Sequence, residues 1–219
     1  MLTAELCIIR KWRNNMKTLL VATTNPGKLA ELRGFLSDLP LTLVSLSDVG
    51  ITDIVEETGA TFKENAILKA RFYAQKSGLP TLADDGGFEI DALNGEPGVK
   101  SHRWIHGTKD NEDEELIEYT IERMRGLPRE KRGAQLHLVL AFAIPSGVVH
   151  ISEGLIRGMI PLAPSKSRLK GFPYRSLLYL PELKKFYNHD ELTEEENRTY
   201  NHRRKAIEDL KPIIRDTLC

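Results

Sequence analysis

The chain has 219 residues, of which 41% are hydrophobic, and this size and composition suit one large globular domain, or one domain with a small lobe. Its 31 basic and 31 acidic side chains give a formal net charge of zero. This balance argues against a nucleic-acid polymer as a partner, because affinity for such a polymer depends on an excess of basic charge. No apolar run is long enough to span a membrane, so we expect no membrane partner. A local basic pocket for a small anion remains compatible with this composition.

The two ends of the chain bear on its location and its boundaries. Cys7 and Cys219 lie near opposite ends, have no metal-ligand spacing and form a poor disulfide framework, so we expect a reducing, cytoplasmic compartment. The first residues are too polar and interrupted for a secretory segment. Met16 stands just before the first clear strand. We therefore expect residues 1–15 to be an extension, a start codon assigned too early or a short surface helix, and residues 16–219 to form a single domain.

Strands and helices follow each other in the first part of the chain. A buried strand is predicted over 17–25. A helix follows over 26–39, with Asn25 at the N-cap position and Pro26 at the first helical position. The pattern predicts a second strand over 41–49. Thr61 and Glu64 have the spacing of a capping box, which predicts the start of a second helix.

The second part of the chain continues this mixture. Two strand-like segments are predicted over 79–85 and 88–93, and an acidic-headed helix over 110–128. Two long strands over 134–147 and 148–160 are joined by a Pro-Ser-Gly turn. A last helix is predicted over 198–218, with a kink at Pro212. Because strands and helices mix from end to end, the predicted fold class is α/β.

One short segment places Asp84 and Asp85 directly after an apolar run and before Gly86 and Gly87. Two interpretations are open. Asp and Gly are common turn formers, so the segment could be an ordinary turn. Alternatively, a strand end presents a carboxylate to a metal ion, and the glycines let a ligand approach the backbone. In a continuous strand the two aspartates point to opposite sides, so at most one is expected to be a direct ligand, and the other acts as a base or a supporting group.

A second polar cluster lies at the junction between the first strand and the first helix, in the segment TTNPGK. Free backbone N–H groups and the helix dipole favour an anion at such a junction. Lys28 is one turn into the helix and could reach a phosphate. The spacing of a P-loop is absent. The competing interpretation is a well-capped helix with a surface lysine.

A third cluster lies on the second helix and the loop before it. Thr61, Asn65 and Lys69 are four residues apart and so share one helix face. Glu56 and Glu57 precede this helix and could supply a metal ligand. A solvated polar face after an ordinary acidic loop is the competing interpretation.

The fourth cluster is the segment NHRRKA near the C-terminus. Asn201 can cap the last helix, which would place His202 and Arg203 in its first turn. Positive side chains are unfavourable at a helix N-terminus, and this local conflict favours a functional role over a basic surface run.

Five segments occur in one order along the chain: VATTNPGKLAEL, EETGATFKENAILKA, LADDGGFEIDALNGEPGVKSHR, KGFPY and NHRRKA. This order resembles the inosine triphosphate pyrophosphatase family, enzymes that remove purine nucleoside triphosphates with non-standard bases. The resemblance runs from about Lys17 to the C-terminus. It implies an elongated α/β mixed-sheet fold with two lobes around a central nucleotide-binding cleft. It also implies a homodimer that needs Mg²⁺, with Mn²⁺ as an alternative, and that cuts between the α- and β-phosphates.

The resemblance assigns roles by position. Asp85 matches the catalytic base and a metal ligand, with Asp84 beside it, and Glu57 matches a magnesium ligand. The remaining matches are substrate-binding positions, namely Thr23, Asn25, Lys28, Asn65, Lys69, Gly86, Phe172, His202 and Arg203. Phe172 matches the aromatic residue that stacks on the base, and His202 and Arg203 match the pair that contacts the purine. A metal-bound water, a carboxylate that deprotonates it and lysines that neutralise phosphate charge form a coherent set.

The chain departs from the family pattern mainly where the base is recognised. Gly86 replaces a serine, Pro173 replaces a glycine, and Arg175 stands where the family has an aspartate. Asn197 and Asn201 replace a lysine and a serine. Discrimination between bases depends on buried polar groups, so these changes affect base preference more than the diphosphate chemistry.

Three functions therefore stay open. The first is a magnesium-dependent nucleoside triphosphate pyrophosphatase. The second is a nucleotide-binding homologue with weak or no turnover, which the altered GFPYRS segment and Gly86 would explain. The third is a diphosphatase for another modified nucleotide, with Arg175 contacting a different substituent.

Overall fold

The computed structural model describes residues 17–107 and 109–219. Our prediction for residues 1–15 lies outside these residues. The strands within the described range are β1 Thr18–Val21, β2 Thr42–Ser45, β3 Thr81–Ile90, β4 Gly133–Ala143, β5 Val149–Met159, β6 Tyr179–Leu180 and β7 Lys185–Phe186. The α-helices are α1 Pro26–Phe35, α2 Phe62–Ser77, α3 Asp113–Arg123, α4 Glu194–Tyr200 and α5 His202–Leu218. Short 3₁₀ helices cover Asp91–Leu93, Gly98–Arg103, Arg129–Lys131 and Pro173–Ser176.

The strands form one mixed sheet in the order β2-β1-β3-β4-β5-β6-β7. β1 is parallel to both of its neighbours, with Thr18 opposite Thr42 and Leu20 opposite Thr81. The β5–β6 and β6–β7 pairs are antiparallel. The α/β class with a mixed sheet is therefore confirmed.

Residue contacts divide the chain into two compact units. The first unit contains the described residues up to Asp85, together with Val139–Glu153 and Arg204–Cys219. The second unit contains Gly86–Leu138 and Gly154–Arg203. That residues 16–219 behave as a single domain stays a prediction.

The first unit begins its helices where the local signals predicted. The Oδ1 atom of Asn25 accepts hydrogen bonds from the backbone N–H groups of Gly27 and Lys28, at 2.8 and 3.1 Å. Thr61 and Glu64 form the predicted capping box at the start of α2. The buried apolar side chains of this unit include Leu19, Leu20, Val21, Leu32, Leu36, Ala66, Ala70, Leu140 and Phe142.

The second unit has an apolar core that fixes the segment after Phe172. The Tyr174 ring stacks on the Phe88 ring with centroids 4.7 Å apart, and its hydroxyl donates to the Ser101 carbonyl at 2.7 Å. The backbone N–H of Ser165 donates to the carbonyl of Ser176 at 2.8 Å. These contacts hold both ends of the short helix Pro173–Ser176, which carries a buried arginine.

Several element boundaries differ from the sequence-based predictions. Most of the segments 79–85 and 88–93 lies in one continuous strand, β3 Thr81–Ile90, that passes through Asp85 and Gly86, and Asp91–Leu93 forms a 3₁₀ helix. α1 ends at Phe35 rather than at residue 39, and the predicted last helix is divided by Asn201, which has an extended backbone between α4 and α5. The hairpin between β4 and β5 is confirmed. A kink at Pro212, which lies within α5, stays a prediction. No helix in the described part of the chain is both long and apolar enough to cross a membrane.

Candidate functional site

The first unit pairs Lys28 of α1 with Asp84 of β3. The Nζ atom of Lys28 lies 3.0 Å from Oδ2 of Asp84, and the aspartate side chain is almost completely buried. Before the helix, Oγ1 of Thr23 accepts a hydrogen bond from the Asn25 backbone at 3.2 Å. Thr23, Asn25 and Lys28 therefore belong to one capped turn whose lysine points to the carboxylate.

A second ion-pair group involves Lys69, Glu57 and Asp85. The Lys69 ammonium lies 2.7 Å from Oε1 of Glu57 and 3.1 Å from Oδ1 of Asp85. Burial raises the pKa of Asp85, the negative charge of Glu57 adds to this effect, and Lys69 offsets only part of it. Burial would lower the pKa of Lys69, but attraction to Asp85 and Glu57 outweighs it, so this pKa lies above the ordinary lysine value.

Asn65 joins this group through its side-chain amide. Its Nδ2 atom donates to Oδ2 of Asp85 at 3.1 Å, and its Oδ1 atom accepts from the backbone N–H of Gly59 at 2.7 Å. Asn65 is 1% exposed. The amide therefore connects the catalytic-base candidate to the loop that contains Glu57.

Asp84 and Asp85 contact different lysines, Lys28 and Lys69. That the two side chains point to opposite sides of the strand stays a prediction. The hydrogen-bonded continuation of β3 through both aspartates also excludes the turn interpretation of this segment.

Glu57 and Asp85 are the residues that could hold a divalent cation. They present hard carboxylate oxygens, and both already contact one positive charge, the Lys69 ammonium. No group of three or more His, Cys, Asp or Glu side chains suited to a metal occurs within 17–107 and 109–219. Magnesium commonly takes only one or two protein carboxylates and fills its other positions with water and phosphate, so this donor set fits it.

The structure explains why glycine occupies the two positions after Asp85, and this explanation differs from the sequence-based one. A Cβ atom at Gly86 would lie 2.5 Å from the Cβ atom of Leu138 on β4. A Cβ atom at Gly87 would collide with the Ser101 hydroxyl. Internal packing thus excludes side chains at both positions, whereas a ligand approaching the backbone was the sequence-based explanation. Substrate contact by Gly86 stays a prediction.

The second unit collects aromatic and basic side chains around Phe172. The guanidinium carbons of Arg175 and Arg203 lie 4.3 and 5.8 Å from the centroid of the Phe172 ring. The Tyr187 hydroxyl lies 3.0 Å from Nδ1 of His202. Arg175, Arg203 and His202 are each 4% exposed. The positions that the resemblance assigned to the base, Phe172, His202 and Arg203, therefore belong to one cluster, in which Phe172 is half-buried.

Tyr187 was not predicted from the sequence as part of this cluster. It is 2% exposed, and the Arg175 guanidinium carbon lies 5.2 Å from its ring centroid. The surrounding segment KKFYN has no motif that would mark a site, so only the structure brings this tyrosine to His202.

Residues 19–213 match the sequence model of the Ham1 family. The chain belongs to the Ham1 family. A dITP/XTP pyrophosphatase from Thermus thermophilus is 43% identical over 92% of this chain and 93% of its own length. A dITP/XTP pyrophosphatase from Yersinia pseudotuberculosis is 41% identical over 92% of this chain and 100% of its own length.

The Ham1 fold is supported by solved structures as well. The HAM1 protein from Coxiella burnetii has a TM-score of 0.78 and 34% identity, covering 91% of this chain and 98% of its own. The resemblance to the inosine triphosphate pyrophosphatase family that the five segments indicated is thereby confirmed. The roles of individual residues stay predictions.

Proposed function

We propose that this Ham1-family chain hydrolyses purine nucleoside triphosphates with non-standard bases to the monophosphate and pyrophosphate. Two groups of side chains, Lys28–Asp84 and Glu57–Lys69–Asp85, support this function most directly. They combine two half-buried lysines with three carboxylates, which is the composition needed for phosphate charge, a metal ion and a base. The dITP/XTP pyrophosphatase names of the relatives agree with it.

The lysines would bind and orient the triphosphate. Lys28 is at the N-terminal turn of α1, where the helix dipole also favours a phosphate. The Lys69 ammonium is protonated at neutral pH, because its pKa lies above the ordinary value. Positive charge at these two positions would stabilise the negative charge that shifts between phosphate oxygens during cleavage.

Asp85 would accept the proton of the attacking water. Its raised pKa makes it a stronger base than an exposed aspartate, while Lys69 at 3.1 Å limits the rise. Asp84, paired with Lys28, would be a supporting carboxylate beside Asp85 rather than take the proton.

Glu57 and Asp85 would hold Mg²⁺, with Mn²⁺ as an alternative. The ion, when bound, would polarise the phosphoryl group and lower the pKa of a water molecule. Both carboxylates contact the Lys69 ammonium, whose positive charge offsets part of their negative charge.

The buried cluster of the second unit would bind the base and set its preference. Phe172 would stack on the base, and Arg203 with His202 would contact its edge. Guanidinium groups have donors and no acceptors, so Arg175 and Arg203 favour carbonyl oxygens over amino groups. We therefore expect xanthosine triphosphate, with two base carbonyls, to be preferred over inosine triphosphate, with one, and both over adenosine triphosphate.

Arg175→Met tests this preference, because methionine keeps a long side chain but removes the donors. The ratio of kcat/KM for xanthosine over inosine triphosphate should fall by about 5- to 100-fold, which is the usual discrimination of a good arginine–base contact. Arg198→Met removes the same charge from an exposed position of this unit and should leave the ratio unchanged. An unchanged ratio in Arg175→Met, or a wild-type preference for adenosine triphosphate, would contradict the assignment.

A nucleotide-binding homologue without turnover is separated from an enzyme by two measurements. Calorimetry with each triphosphate measures binding, and a pyrophosphate assay with Mg²⁺ or Mn²⁺ measures turnover. Binding without pyrophosphate over a long incubation would favour the inactive homologue. A cytoplasmic location and a homodimer are proposed from the family resemblance, and sedimentation of the purified protein tests the dimer.

A further inference from the structure

We infer that Asn65 is a positioning residue, which fixes Asp85 and the loop containing Glu57 in one arrangement, rather than a direct substrate ligand. The inference rests on the proposed function, since it assigns a role within the same site. It starts from the two hydrogen bonds of a single buried amide, to Asp85 and to Gly59.

The chemistry of the partners fixes the orientation of this amide. A backbone N–H can only donate, so the carbonyl oxygen of Asn65 must face Gly59. An ionised carboxylate can only accept, so the amide nitrogen must face Asp85. Asparagine offers an acceptor and a donor on one short planar group, which neither Asp nor Leu provides.

The Gly59 position gives an independent reason for the same contact. A Cβ atom there would lie 2.6 Å from Oδ1 of Asn65 and 2.7 Å from the Cβ atom of Glu64. Only glycine therefore lets the loop backbone come close enough to bind the amide. Glu57 lies in the same loop and reaches Lys69 at 2.7 Å.

Together these contacts close a ring of interactions around the base candidate. Asp85 is held by Asn65 through one oxygen and by Lys69 through the other, at 3.1 Å each. The same two residues contact the preceding loop, Asn65 through Gly59 and Lys69 through Glu57. Rotation of the Asp85 carboxylate would break both contacts, so Asn65 holds one of its oxygens in place for proton transfer.

Asn65→Asp tests the positioning of the Asp85 carboxylate separately from the folding of the loop that contains Gly59. Aspartate still accepts the hydrogen bond from Gly59, so the arrangement of the loop should be preserved, and a melting curve shows whether the variant is folded. In its ionised form it cannot donate to Asp85, and its charge repels that carboxylate. We expect kcat on the best triphosphate to fall by about 10- to 100-fold with little change in KM, as for the loss of a hydrogen bond to a charged group.

Two further variants and a control complete the design. Gly59→Ala should displace the amide and lower kcat, whereas Lys63→Ala, at an exposed position of the same helix, should leave kcat unchanged. In an Asp85→Asn background, Asn65→Asp should have almost no additional effect, because Asn65 acts through Asp85.

The inference is overturned if Asn65→Asp keeps at least half of the wild-type kcat. It is also overturned if the double variant with Asp85→Asn lowers kcat by the product of the two separate reductions. A large rise in KM at constant kcat would instead indicate a substrate ligand, and would also overturn it. Failure of the proposed function is recognised separately, because the wild-type protein would then release no pyrophosphate from any triphosphate.

Discussion

Asp85→Asn is the substitution that tests the proposed role of Asp85 as the general base most directly. Asparagine has the size of aspartate but carries no charge and cannot accept the proton of water. In the structure Oδ1 of Asp85 accepts from Lys69 and Oδ2 accepts from Asn65, both at 3.1 Å, so asparagine, with a single acceptor oxygen, can keep only one of these two hydrogen bonds.

The expected loss in rate follows from the role of a general base. Such a group contributes about 10²- to 10⁴-fold to turnover, which corresponds to about 3–5 kcal/mol on the activation barrier. Folding should be retained. Burial disfavours the ionised form of Asp85 and raises its pKa, so removal of the charge offsets the contacts that asparagine makes less well.

The assay is pyrophosphate release at saturating triphosphate and Mg²⁺, together with a melting curve. Asp216→Asn makes the same chemical change at an exposed position of α5 and should match the wild-type protein in both measurements. If Asp85→Asn keeps most of the wild-type rate on the best substrate, Asp85 is not the base and the mechanism is wrong.

The remaining predictions concern the stability of the two units. Gly87→Ala should lower the melting temperature by several degrees, because its Cβ atom would collide with the Ser101 hydroxyl, and an unchanged melting temperature would show that the packing there is loose. Gly34→Ala, at an exposed position of α1 with no atom within 4 Å of the new Cβ, should instead stabilise the protein by about 0.5–1 kcal/mol in denaturant unfolding. Asp48→Asn should lower the melting temperature at pH 7, because hydrogen bonds from the Ser45 backbone and hydroxyl hold the pKa of Asp48 below its ordinary value. A depressed carboxyl pKa stabilises the fold above the unfolded pKa, so the difference between Asp48→Asn and wild type should shrink as the pH falls below about 4, and a constant difference would refute this cause.

Local signals in the sequence predicted the elements that depend on local chemistry. Asn25 and Pro26 begin α1, and Thr61 with Glu64 begins α2, because capping depends on residues next to each other in the chain. The turn between β4 and β5 was also predicted from neighbouring residues, the Pro-Ser-Gly segment.

The segment around Asp85 illustrates the limit of local reasoning. Two aspartates followed by two glycines have the composition of a turn, yet they continue β3. Leu20 and Val21 of β1 pair with the start of this strand, and Leu138 of β4 occupies the space beside Gly86. The glycines are required by neighbours that no nearby residue in the sequence indicates.

The sequence predicted the residues of the candidate site more fully than the contacts between them. The resemblance indicated Lys28, Glu57, Lys69 and Asp85, and the structure brings the last three together. The resemblance did not indicate that Asn65 links Asp85 to Gly59, because this link depends on the hydrogen bond from the Gly59 backbone N–H to Oδ1 of Asn65 at 2.7 Å. β6 and β7 have two residues each, too short for any periodicity to predict.

The most direct test of the central claim is the identity of the products of xanthosine triphosphate hydrolysis with Mg²⁺. Phosphorus NMR of the reaction in progress resolves pyrophosphate, inorganic phosphate and the nucleoside mono- and diphosphates in one sample. The lysine–carboxylate groups of the first unit are proposed to direct cleavage between the α- and β-phosphates, so the monophosphate and pyrophosphate should appear together, in equal amounts and without a diphosphate intermediate. Nucleoside diphosphate appearing with inorganic phosphate would contradict the claim.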